Sequence, residues 1–210
     1  MKRRAYLALA APLCVLALEG CVPAAVGVAA GMGVYSAYDR RTTGAQVDDE
    51  GIELRVSNRI SERYGDKVHV NVTSYNRVVM LTGEVPTAEI RDELDKSISG
   101  LAGVRGVTNE TKVGPNTAFT ARANDSAITG KVKARFVDAN RFNAIHVKVV
   151  TEDSTVYLLG IVTEKEGNDA TELARTTSGV RKVIKVFEYC RPTDDACRPR
   201  EQPKSGEAKK

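Results

Sequence analysis

Val79-Met80-Leu81-Thr82-Gly83-Glu84-Val85 returns 77 residues later as Val156-Tyr157-Leu158-Leu159-Gly160-Ile161-Val162. Apolar residues alternate around a glycine in both stretches, which is the period of a strand. Working outward, a shift of 76 lays Ile52, Val56 and Ile60 on Ile128, Val132 and Phe136, and Gly103-Val104-Arg105 on Gly179-Val180-Arg181. The one-residue slip falls where a connecting loop absorbs it. A period this long, helix-spaced and then strand-spaced, predicts two copies of one small domain, not a solenoid.

Within the first copy, Ile52, Val56 and Ile60 form one apolar stripe on a helix ending near Tyr64. Asp48-Asp49-Glu50 are read as complementing the positive N-terminal end of that helix. Val68, Val70 and Val72 alternate with His69, Asn71 and Thr73, a half-buried strand, and a turn at Tyr75-Asn76 leads to the returning strand. A second helical pattern, Ile90, Leu94 and Ile98, runs to Gly100, and Val104, Val107, Thr111 and Val113 suggest a last strand. Each repeat is therefore expected to be α+β, helix-strand-strand-helix-strand, with a three-stranded mixed sheet and both helices on one face. The expected division is a signal segment over 1–20, a tether over 21–47, the first domain over 48–114, a linker over 115–124, the second domain over 125–190 and a disordered tail over 191–210. A core of about 65 residues is marginal on its own, so the copies are expected to support each other by packing.

The ends carry the addressing. Lys2-Arg3-Arg4 before the apolar run Ala5–Leu18 is a charged head on a segment too short to span a bilayer, and reads as a secretory signal. Leu18-Glu19-Gly20-Cys21 follows, and resembles a bacterial lipobox whose cysteine is lipidated; the alternative is an ordinary signal cut at another small residue. If Cys14 leaves with the signal and Cys21 carries lipid, Cys190 and Cys197 remain, and two thiols in an oxidising compartment are expected to pair. The alternative is two free thiols in a frayed tail. Residues Val22–Val34 are apolar but Gly-rich and broken by Pro23, a poor membrane span and a better tether.

Formal net charge is +4, and +2 once Lys2, Arg3, Arg4 and Glu19 are removed. With no Trp and 5% aromatic residues, the chain lacks the basic excess and stacking platforms of a nucleic-acid binder. No nucleophile elbow, zinc-protease motif or phosphate loop occurs, so neither catalytic residues nor a cofactor are expected. His69 and His146 fall at matching positions on the strand faces opposite the valines. They read as two outward residues and not as metal ligands, which need several convergent donors.

The duplicated helix openings, the Val-x-Leu-x-Gly-x-Val strands and the Gly-Val-Arg endings together resemble the BON domain. With the lipobox, the tether and the Arg40-Arg41-Thr42-Thr43-Gly44 segment, the chain looks like the dual-BON outer-membrane lipoproteins of Gram-negative bacteria. That resemblance implies a non-enzymatic protein on the inner leaflet of the outer membrane, facing the periplasm. It further implies that the second domain contacts anionic phospholipid and supports envelope integrity, often at the division site. Val22 after the cysteine, where an aspartate would retain a lipoprotein at the inner membrane, is similar to those sorted onward.

The residues expected to carry the contact are Ala127, Ile128, Lys131, Lys133, Arg135 and Val137. Lys131, Lys133, Arg135 and Arg141 outnumber Asp125 and Asp138, while the first-repeat helix is more balanced. Ala127 departs from the family, many of whose members carry an aromatic there, so shallower insertion is expected. The competing reading is an interaction scaffold assisting outer-membrane protein assembly.

Overall fold

The structure, a computed structural model, describes residues 39–197. Cys21, the signal, the tether up to residue 38 and the tail from residue 198 lie outside the described residues. In chain order the elements are α1 (Thr43–Tyr64), β1 (His69–Tyr75), β2 (Val78–Val85), α2 (Ala88–Ser99), β3 (Gly106–Asn109), β4 (Lys112–Val113), α3 (Phe119–Ala139), β5 (Lys148–Glu152), β6 (Thr155–Val162), α4 (Glu164–Arg175) and β7 (Lys182–Tyr189). Each half is the expected helix-strand-strand-helix-strand unit.

In both halves the middle strand pairs antiparallel with the strand before it and parallel with the strand after the helix. The last strand of the first half is split into β3 and β4, which keep one register against β2. The break lies at Glu110-Thr111, where Thr111 N–H turns to Asn109 Oδ1 at 3.2 Å instead of to the neighbouring strand. β7 runs without interruption.

Alternation on β2 explains the layering. Val79, Leu81 and Val85 point into a core with Ile52, Val56 and Ile60 of α1 and Leu94 and Ile98 of α2. Val156, Leu158 and Val162 of β6 do the same against Ile128, Val132 and Phe136 of α3 and Ala170 and Leu173 of α4. The opposite faces form a third core, in which Tyr75 and Met80 meet Tyr157, Leu159, Ile161 and Cys197. Helices, sheet, sheet and helices are thus stacked in four layers, and β2 and β6 are buried on both faces. The repeats differ where they touch: Met80, Thr82 and Glu84 in one correspond to Tyr157, Leu159 and Ile161 in the other.

Several boundaries differ from the periodicity reading. α1 begins nine residues before Ile52, with the Thr42 hydroxyl accepting from Ala45 N–H at 3.1 Å as its cap. α3 begins at Phe119, so residues 119–124 are helical where a linker was expected. Asp49 and Asp125 therefore sit inside helices and not at their starts. Each is buried and binds the hairpin turn of its own sheet. Asp49 accepts from Asn76 and Arg77 N–H at 2.8 and 2.7 Å, and Asp125 from Asp153 and Ser154 N–H at 2.9 and 2.8 Å. All four turn residues have φ between 46° and 66°, the geometry of a two-residue type I′ hairpin.

Gly160 lets two strands approach: a Cβ there would stand 2.3 Å from His146 O, and one on Gly83 would stand 2.1 Å from His69 O. Beyond β7, Arg191–Cys197 is folded as turns where a disordered tail was expected, and Cys190 and Cys197 are joined, their Cα atoms 6.1 Å apart.

Arg40 closes the unit. It donates to Glu166 Oε2 and Oε1 at 2.6 and 3.0 Å and to Ile161 O at 2.9 Å, reaching from the start of the first half to the second. Lys148 to Glu53 at 2.8 Å and Lys112 to Asp153 at 2.6 Å also cross between the halves.

Candidate membrane-contact site

α3 positions the residues expected to touch lipid, and it sorts them. Ile128 is fully buried in the second core, so it is a packing residue and presents nothing to a surface. Arg135 is also diverted: its guanidinium donates to Leu173 O at 2.9 Å and to the Thr176 and Thr177 hydroxyls at 2.9 and 3.1 Å, satisfying the C-terminal end of α4. Arg59, 76 residues earlier, does the same for Ser97 O at 3.2 Å. The arginine is therefore a device of both repeats.

Ala127, Lys131, Lys133 and Val137 are exposed. Among the described residues, neither Lys131 nor Lys133 makes an ion pair or hydrogen bond. The face they belong to is longer than the sequence suggested. Phe119, 77% exposed, lies 18 residues before Val137, 66% exposed, which is five whole turns, about 27 Å along one line of the helix. Ala123, Ala127, Gly130 and Ala134, all exposed, fill the stripe between them, and the 100° step per residue sets Lys131 on one flank and Lys133 on the other. The corresponding line on α1 reads Thr43, Val47, Gly51, Leu54, Asn58 and Ser61. It is polar at both ends.

Phe119 escaped the sequence reading because it falls where a linker was expected; its spacing from Val137 was the signal that could have found it. The aromatic missing at Ala127 is thus offset by one about two turns nearer the helix start.

A second cluster lies between the sheets. His69 and Glu84 face each other across β1 and β2, with Nδ1 2.9 Å from Oε2, and Glu152 approaches from β5. One donor atom from each of the three lies within 4.8 Å of the other two. His69 is not the solvent-facing residue expected, because the second domain covers that side of its sheet. His146, its counterpart, is likewise shielded, its Nδ1 3.4 Å from Glu166 Oε1.

Burial pushes the Glu152 carboxyl up, and nearby Glu84 and Asp125 add to it against Asn71 and His69. For Glu84 burial acts in the same direction, but hydrogen bonds from Thr117 and His69 outweigh it and hold the group below the usual carboxylate range.

Among the described residues no helix is long and apolar enough to cross a membrane. The BON domain profile matches residues 48–115 and 124–191. The chain is 41% identical over 174 residues to outer membrane lipoprotein DolP of Haemophilus influenzae, covering 82% of this chain and 90% of that one. It is 35% identical over 153 residues to a 21 kDa hemolysin of Actinobacillus pleuropneumoniae, covering 72% and 79%. Osmotically-inducible protein Y of Escherichia coli K12 is 28% identical over 158 residues, covering 73% and 78%. With two matched copies in tandem, each folded as the same α+β unit, the chain belongs to the BON-domain family and is kin to an outer membrane lipoprotein.

Proposed function

We propose that the chain is an outer-membrane lipoprotein, anchored through Cys21 and facing the periplasm, whose second BON domain holds anionic phospholipid through the outer face of α3. It acts by adhesion and not by catalysis, and in doing so supports outer-membrane integrity. The observation that carries this reading is the apolar stripe from Phe119 to Val137, flanked by two exposed lysines that make no ion pair among the described residues. A ring and a valine enter the headgroup boundary while the lysines meet lipid phosphates, the arrangement of an interfacial helix. Each lysine contributes about 1 kcal/mol near an anionic surface. That is weak alone and enough for a domain already tethered.

The test is sedimentation of the unlipidated Cys21→Ser chain with vesicles of phosphatidylglycerol and phosphatidylethanolamine. Replacing Lys131 and Lys133 together by Glu should lower the partition coefficient about 30-fold or more, from roughly 2 kcal/mol lost. Retention of binding by that variant rejects the surface. Val47 and Leu54, 65% and 63% exposed and seven residues apart on α1, favour a second reading in which the first domain docks a protein, as a scaffold for outer-membrane assembly would. Capture of one stoichiometric partner from envelopes, lost in Leu54→Ser and kept in the lysine reversal, would support it.

A further inference from the structure

We propose that His69, Glu84 and Glu152 form a divalent-cation site of the zinc class that bridges the two BON domains. His69 and Glu84 come from adjacent strands of the first sheet and Glu152 from the end of β5 in the second, so an ion held by all three joins the halves. The donor set is one imidazole nitrogen and two carboxylates, a combination suited to zinc or manganese. Their donor atoms lie within 4.8 Å of one another, and bonds of about 2.0–2.1 Å need them at roughly 3.4 Å. Side-chain rotation of that size closes the difference.

Electrostatics favours a cation here. Glu84 and Glu152 are 6% and 5% exposed, and buried carboxylates are ordinarily paired or bound to metal. Two negative charges meet a single imidazole, which even when protonated supplies half the compensation. His69 and Glu152 line a cavity of about 490 Å³ that Arg122 also lines, yet Arg122 makes no ion pair with either glutamate among the described residues. Asp125, also on its wall, is already spent on the β5–β6 turn.

An independent observation points the same way. The Thr82 hydroxyl is fully buried and has no hydrogen-bond partner among the described residues. It emerges on the same sheet face as Glu84, two residues along β2 and opposite Asn71, toward the gap between the sheets. An orphaned hydroxyl on the sheet face that carries Glu84 suits a partner for a metal-bound water.

Outer groups already orient the donors, as metal sites require. Asn71 Nδ2 donates to Glu152 Oε2 at 2.7 Å, and Thr117 donates to Glu84 through its backbone N–H at 3.0 Å and through its hydroxyl. The cation would stabilise the docked arrangement increasingly as its free concentration exceeds its dissociation constant. None of this rests on the lipid reading.

The test uses the full chain in mild detergent, freed of metal with a chelator and titrated with zinc or magnesium chloride. Calorimetry should show one zinc per chain and thermal melting a zinc-dependent rise in Tm, with magnesium far weaker. Glu152→Gln, which keeps the side-chain shape, should bind zinc at least ten-fold more weakly and lose the rise while folding normally without metal. Should that variant melt early, His69→Gln gives the same comparison. Cobalt(II) should give visible absorption in the wild type that either substitution removes. No zinc-dependent rise in the wild type, or zinc binding by the substituted chain equal to wild type, overturns the site.

Discussion

Asp125 holds the N–H groups of Asp153 and Ser154, and Asp49 those of Asn76 and Arg77, so one carboxylate per repeat pins the turn on which strand register depends. Removing it leaves two backbone donors without a partner. Asp125→Ala should cost about 2 kcal/mol, seen as a lower urea midpoint with an unchanged slope. Gly160→Ala should cost about 1–3 kcal/mol by driving a Cβ against His146 O. Gly160 stands out in the repeat comparison and the aspartates do not, so their roles were only half legible. The glycine sat at the right place in a strand; Asp49 read as complementing the helix N-terminus, because adjacent acids before an apolar stripe carry that signal and its true partners lie 27 and 28 residues away.

At the scale of the element, α3 has two faces that matter, and sequence periodicity found one. Ile128, Val132 and Phe136 gave the core stripe. The outer stripe went unread because its small residues, Ala123, Ala127, Gly130 and Ala134, give little contrast against polar neighbours, and because Ala118 supplies no side-chain cap to mark the start. The same lack of contrast hid the first turns of α1, where Gly44 and Gly51 interrupt the pattern. If the outer stripe meets lipid, Phe119→Ser should weaken vesicle binding about ten-fold or more without changing Tm, since the ring is exposed. Raising salt should weaken binding through the lysines and leave the Phe119 contribution intact. A drop in Tm for Phe119→Ser would instead make the ring a structural residue.

Across the whole molecule, the duplicated architecture was legible and packing of its halves was expected, but not which faces meet. The strand was read from the alternation of Val156, Leu158 and Val162, whereas Tyr157, Leu159 and Ile161 are buried on its other side by a second domain. Arg40 had no signal beyond its place in a basic pair. It is 10% exposed and Glu166 16%, and breaking so enclosed a pair should cost about 3 kcal/mol.

Burial pushes the Glu166 carboxyl up, yet contacts with His146, Arg40 and the Thr163 N–H prevail and hold it well below the usual range. A depressed carboxylate contributes fully above its unfolded value near 4.3, and that contribution is lost as pH falls toward the folded value. Acid titration of stability should therefore show a steeper loss below about pH 5 in the wild type than in Glu166→Gln. Parallel curves would mean the pair carries no linkage.

Arg40 is also the first residue of the compact unit that a pull from the amino-terminal side would reach. Its grip is on α4 and β6, not on the helix that follows it in the chain. Mechanical load arriving along the backbone is thus shared between α1 and the far half for as long as that guanidinium holds.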